Sequence, residues 1–139
     1  MNIINLKRLN KVISSLVKGQ IRYKNNLSDD LLRDGLIQRF KVTYDLSHKI
    51  LKTYLGTTYE NPQQINQMVF KDWITLAHER GLVLNDWSMW QEFRDQRSRT
   101  IYSFDLTVAN NVLSIIPSFV KEVEFLYSKI GNKLIEDRF

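Results

Sequence analysis

Apolar side chains recur at spacings of three and four along most of this sequence, the period of α-helices that each bury one face. Leu6, Leu9, Ile13, Leu16, Gln20 and Tyr23 form the first stripe, on a helix from about Asn5 to Tyr23 that the polar stretch Lys24 to Ser28 ends. A second helix starts at Ser28 or Asp29, both good N-cap types, with Asp29 and Asp30 where the helix dipole favours acidic groups. Its stripe is Leu36, Phe40, Tyr44, Ser47, Leu51 and Leu55, with Ile37 alongside, and Gly56 is the expected stop. After a loop, Asn61-Pro62 reads as an N-cap followed by proline at the first helical position. Ile65, Met68 or Val69, Trp73 and Leu76 continue that third helix to Gly81. Asn85 or Asp86 caps a fourth, which carries Trp87, Trp90 and Phe93 and then Arg94, Arg97 and Arg99. Asp105 or Thr107 opens a fifth, running to about Ile130 before Gly131, and Pro117 inside it is expected to kink it.

No strand-like alternation persists and no repeat appears at solenoid periods. The expected fold is all-α, a four-helix up-down bundle with a short additional helix, the third, in a single domain over residues 1–139. Composition agrees, because 5 Gly and 2 Pro are too few for the turns of an all-β sandwich. The absence of Cys excludes disulfides, thiolate catalysis and thiolate zinc sites. The segment Met1 to Leu9 lacks the continuous apolar run of a secretion leader, and Val112 to Val120 is far short of the roughly 20 apolar residues of a membrane span. A cytoplasmic protein with no membrane association is the expectation.

Charge adds an asymmetry. The net charge is +5, yet residues 1–28 hold Lys7, Arg8, Lys11, Lys18, Arg22 and Lys24 and no acid. The basic excess therefore sits on the first helix, either as a solvated face or as a footprint for a nucleic acid or an acidic partner.

Candidate chemistry is sparse. His48 and His78 lie on different helices and in no metal-binding spacing, so neither a metal nor a cofactor is expected. No Gly-rich phosphate loop or nucleophile elbow occurs. The densest polar cluster runs from Arg94 to Tyr102. Arg94 and Arg97, three apart, share a helix face, and Gln38 and Arg39 offer similar groups on another helix. Inward-facing arginines need acids or a bound phosphate, and Asp34, Asp45 and Asp95 are candidate internal partners.

The run Arg33-Asp34-Gly35-Leu36-Ile37-Gln38-Arg39-Phe40, continuing through Thr43-Tyr44-Asp45-Leu46 to Lys49 and Leu51-Lys52, resembles the opening signature of the nucleotidyltransferase substrate-binding protein family. These are small HEPN-type helical bundles. Trp90 to Asp105 is similar to the second family signature, a helix end with Arg-x4-His-x-Tyr before an acidic turn. The resemblance extends roughly from Leu9 to Lys129. It implies a homodimeric four-helix bundle, encoded beside a small nucleotidyltransferase and binding it. Some relatives are metal-independent ribonuclease toxins that use the Arg and His of that motif at the dimer interface. In such pairs the nucleotidyltransferase is the antitoxin and can modify the motif tyrosine with AMP.

The sequence departs from the motif at the reactive positions. Arg97 matches the arginine, Tyr102 stands at the histidine and Phe104 at the tyrosine, and Ser47-His48 replaces a frequent Ala-Trp. A histidine exchanges protons near pH 7, whereas a tyrosine with its usual pKa near 10 stays protonated there. Phe104 has no hydroxyl to accept AMP. The expected protein is thus a non-catalytic substrate-binding subunit that pairs with a separate small nucleotidyltransferase. Arg94, Arg97, Tyr102, Arg39 and Gln38 are its candidate substrate-binding residues, meeting a nucleotide or RNA phosphate. Trp73, Trp87, Trp90, Phe93 and Phe104 offer more aromatic bulk than one small core readily hides, which favours a homodimer. The alternative is a HEPN ribonuclease toxin, active or degenerate, of a toxin–antitoxin pair. A third reading is a structural bundle whose arginines are paired internally.

Overall fold

The computed structural model describes residues 4–58 and 63–136, and for Glu136 the backbone alone. Six α-helices and one short 3-10 turn are present among them, and no strand: α1 (Leu6–Lys24), α2 (Asp30–Thr57), α3 (Gln63–Gln67), α4 (Phe70–Glu79), α5 (Trp87–Arg99), the 3-10 turn Thr100–Tyr102 and α6 (Leu106–Glu136). The four long helices make an all-α bundle. Arg39 and Thr43 of α2 reach the carbonyls of Ser15 and Val12, so α1 and α2 run in opposite directions. The start of α6 (Leu113, Ile116, Pro117) packs beside the end of α1, and its end (Tyr127, Leu134) beside Ile4 and Leu6, so that pair is antiparallel too. Glu122 meets the residues just before α5, and the 3-10 turn links the other end of α5 to the start of α6. The chain direction alternates along the four long helices.

Caps explain the starts. Asn5, Asp29, Asp86 and Asp105 each accept a backbone N–H of the first turn through a side-chain oxygen. The stops are less uniform. Gly81 takes φ +73°, and Leu82 N–H returns to the carbonyl of Ala77 at 2.9 Å, a left-handed glycine stop to α4. Gly56 does not end α2 and Gly131 does not end α6. Thr57 and Thr58 instead close α2 with hydroxyls on the carbonyls of Tyr54 and Leu55. The last turns of α6 keep packing against α1 beyond Gly131, whose missing side chain faces Leu6 at an ordinary contact distance. The helix also passes through Pro117, which lacks the N–H that would reach Leu113.

The third expected helix is split. Ile65 and Trp73 both point into the core, yet Val69 is exposed between α3 and α4. The indole N–H of Trp73 reaches the carbonyl of Ile65 at 3.0 Å and pins the break. The expected start at Asn61-Pro62 lies outside the described residues.

One hydrophobic cluster draws on α1 to α6. Every apolar member of the α2 stripe is buried, and α6 contributes Ala109, Val112, Ile116, Phe119, Val123, Leu126 and Ile130 in alternating steps of three and four. Phe119 sits at its centre, with ring centroids 5.0 Å from Phe40 and 5.2 Å from Phe93 in edge-to-face pairs. The cluster hides Trp73, Trp90 and Phe93, and Trp87 is partly covered. Of the five aromatics expected to exceed one core, Phe104 alone is largely exposed, because α3 and α4 cover the side of the bundle where the tryptophans lie. No helix among the described residues is long and apolar enough to cross a membrane.

Candidate site at the end of α5

The last turns of α5 lie beside the middle of α2, which places the arginine cluster against the Tyr44-Asp45 dipeptide. Arg97 donates from Nε to Asp45 Oδ1 at 2.8 Å and from Nη2 to Oδ2 at 2.9 Å. A planar guanidinium fork matches a carboxylate in this bidentate geometry. Nη1 of Arg97 also lies 3.4 Å from the Thr100 hydroxyl, which itself donates to the Arg97 carbonyl. The hydrogen bonds to Asp45 raise the Arg97 pKa above its already high value, and the guanidinium stays charged.

Arg94 is held differently. Its guanidinium lies over the Trp87 ring, 4.9 Å from the centroid, and touches Asp95 at 3.7 Å. Held against the indole, the Arg94 side chain is still 43% exposed. Under both arginines sits Tyr44, buried between Phe40, Trp90 and Phe119. Burial drives its pKa well above 10, outweighing the opposing pull of Arg94, so the phenol is neutral at any physiological pH.

Tyr102 ends the 3-10 turn that follows α5 and is half exposed. Its sequence neighbours Ile101, Phe104 and Leu106 are exposed too, Phe104 at 86%. Arg39 and Gln38 belong elsewhere. Arg39 is half buried between α1 and α2, with Nη1 2.7 Å from the Ser15 carbonyl, and Gln38 borders a shallow hollow with Val12 and Val42. The structure thus joins Arg94 and Arg97 to Asp45, Tyr44 and Trp87, with Tyr102 just beyond, and sets Arg39 and Gln38 against α1. Asp45 was one of three acids that spacing left open. Tyr44 and Trp87 carried no polar signal beyond their core positions.

A second polar centre escaped the sequence reading altogether. Glu122 is fully buried on α6 and accepts the backbone N–H groups of Leu84, at 2.7 Å, and Asn85, at 3.0 Å. Burial raises its pKa, and the two amide donors oppose the rise. The signal was available, since Glu122 falls on the face of α6 that Phe119 and Val123 bury. His48 packs on Phe70 and Trp73, at 4.6 and 5.1 Å between centroids, and burial lowers its pKa against the pull of Asp45. Among the described residues, no three acids or histidines converge as metal ligands.

Comparisons with known proteins bear on the family and the fold. Residues 4–132 match the family described as nucleotidyltransferase substrate binding protein like. A relative from Haemophilus influenzae named Probable ribonuclease HepT is 33% identical over 108 residues, 78% of this chain and 73% of the relative. A solved Haemophilus influenzae structure, described as the fold of a substrate binding domain of a nucleotidyltransferase, superposes with a TM-score of 0.82. It is 30% identical and covers 89% of this chain and 97% of that one.

Proposed function

The chain belongs to the nucleotidyltransferase substrate binding protein like family, and we propose that it serves as a non-catalytic subunit of a separate small nucleotidyltransferase in the cytoplasm. The observation that carries this reading is Tyr102. It occupies the motif position at which a ribonuclease of this type needs a histidine, and it lies exposed on a short turn. A phenol there holds its proton at pH 7 and is a poor general base, but it can donate a hydrogen bond or stack on a base.

The arginines then take separate roles. Arg97 is committed to Asp45 and fixes the end of α5 on α2. Arg94, stacked on Trp87, is the guanidinium with donors to spare for a phosphate. The apolar surface of Ile101, Tyr102, Phe104 and Leu106 beside them supports a symmetric homodimer formed at this end of the bundle.

Co-expression with the product of the neighbouring gene, expected to be a nucleotidyltransferase, followed by size-exclusion chromatography, tests the pairing. The two proteins should elute together at low salt, and separate elution removes the reading. A second reading, a ribonuclease toxin held by that enzyme, is favoured by the name of the Haemophilus influenzae relative. An RNA-cleavage assay on the isolated chain separates the two.

A further inference from the structure

A second charged feature lies away from the Arg97 pair. Lys7, Lys11, Ser14, Lys18 and Arg22 follow one another at steps of four, three, four and four residues, which keeps them on one face of α1. All are exposed. At 1.5 Å per residue the row is about 22 Å long. The first 28 residues contain no acid, and among the described residues no ion pair engages any of these cations.

Arg39 of α2 joins this row from across the groove, in a hollow of about 510 Å³ whose lining includes Lys7, Lys11 and Lys18. Its placement is built. Nη1 is anchored on the Ser15 carbonyl at 2.7 Å, and Gly19 makes the room, since a Cβ there would come within 3.3 Å of Arg39 Cδ and Nη1. Among the described residues no carboxylate pairs with Arg39, so the remaining N–H groups of its fork are not claimed by any of their acids.

We propose that this face of α1, with Arg39, is a track for the phosphate backbone of a nucleic acid strand, distinct from the site at the end of α5. A regular row of unpaired cations fits a ligand whose charge repeats along a line. The hollow's other lining groups are Asn10, Ser14 and Ser15, all polar, which leaves nothing to insert into a lipid surface. No aromatic side chain lies on the row to stack a base, so the contact is with the backbone and tolerates any sequence. An acidic protein surface is the competing occupant, and it would leave the isolated chain without affinity for a strand.

The inference does not rest on the nucleotidyltransferase reading, and its test separates the two. Labelled oligouridylate and oligothymidylate of about twelve nucleotides are titrated with the full chain between about 50 and 200 mM salt, with binding read by fluorescence anisotropy. Lys7, Lys11, Lys18, Arg22 and Arg39 engaging five phosphates give a slope of log K against log salt of about −3.5. Lys11→Gln, Lys18→Gln and Arg22→Gln, on exposed positions, should each flatten that slope by about 0.7. Combined, they should weaken binding more than tenfold at the lowest salt, with melting curves unchanged. Lys71→Gln, at an exposed cation of α4 away from α1, should leave strand affinity within twofold whether or not the chain pairs with a nucleotidyltransferase. The tighter of the two strands identifies RNA or DNA as the source of the backbone. Dissociation constants weaker than about 10⁻⁴ M for both strands at the lowest salt, or equal binding by the triple variant, overturns the proposal.

Discussion

Asp45 and Arg97 stand 52 residues apart in the sequence and meet through two hydrogen bonds of 2.8 and 2.9 Å. The pair ties the middle of α2 to the end of α5, so an arginine that sequence reading offers to a phosphate is already engaged by a carboxylate of its own chain. An incoming anion meets Arg94 first and gains Arg97 only by displacing or sharing Asp45.

Removing the acid should therefore release the arginine. Asp45→Asn is expected to raise the affinity of the isolated protein for AMP several-fold, measured by calorimetric titration. Its cost in stability should stay near or below about 1 kcal/mol, because Asp45 is half exposed and the pair is screened by solvent. Unchanged AMP affinity would place the phosphate contacts away from Arg97.

The isolated chain should not cleave RNA detectably. Loss of a general acid–base group typically lowers rate by about 10²–10⁴, and Tyr102 stands where that group would be. Metal-independent cleavage by the wild-type chain that disappears in Arg97→Ala would promote the ribonuclease reading over the binding subunit.

Glu122 is a structural anchor. Glu122→Ala strips the part-buried Leu84 and Asn85 amides of their acceptor, and each donor left unmet where water cannot reach it costs about 1–3 kcal/mol. The variant should lose about 2–4 kcal/mol in denaturant unfolding. A loss below about 0.5 kcal/mol would show that water replaces the carboxylate without penalty.

His48 should make stability depend on pH. Burial lowers its folded-state pKa below the ordinary 6.5, so the unfolded chain binds the proton more readily. Stability is then full above about pH 6.5, falls as pH drops through the window beneath it, and levels off below the folded value. Urea unfolding of wild type and His48→Gln across pH 5 to 8 reads this as a slope that the variant lacks. Parallel curves for the two proteins would assign the pH dependence to other groups.

Phe104 should control assembly. At 86% exposure it contributes little to the core, so Phe104→Asp is expected to leave unfolding stability of the protomer nearly unchanged. It should shift sedimentation from dimer to monomer at micromolar concentration, since a charge at the centre of an apolar contact is left desolvated. A wild-type chain that already sediments as a monomer removes the dimer.

The sequence determined the elements whose signals are local. The stripe from Leu36 to Leu55 was legible, and the caps of α2 and α5 were legible to within one residue, because a helix repeats every 3.6 residues and a cap acts within three. The departures at Tyr102 and Phe104 were legible because the resemblance supplies a motif to set the stretch from Arg97 to Phe104 against. Tertiary structure decided what depends on a neighbour distant in the chain. Two glycines expected to stop helices do not, because threonine hydroxyls close α2 and packing on α1 carries α6 past Gly131. The third helix breaks at Met68–Val69 because Trp73 must reach both the core and the Ile65 carbonyl. Asp34, Asp45 and Asp95 were equivalent on paper as partners for Arg97. The packing of α5 on α2 chose Asp45, and the packing of α2 on α1 took Arg39 away to Ser15. One-dimensional spacing fixes which residues share a face of a helix, but only helix packing fixes which faces meet.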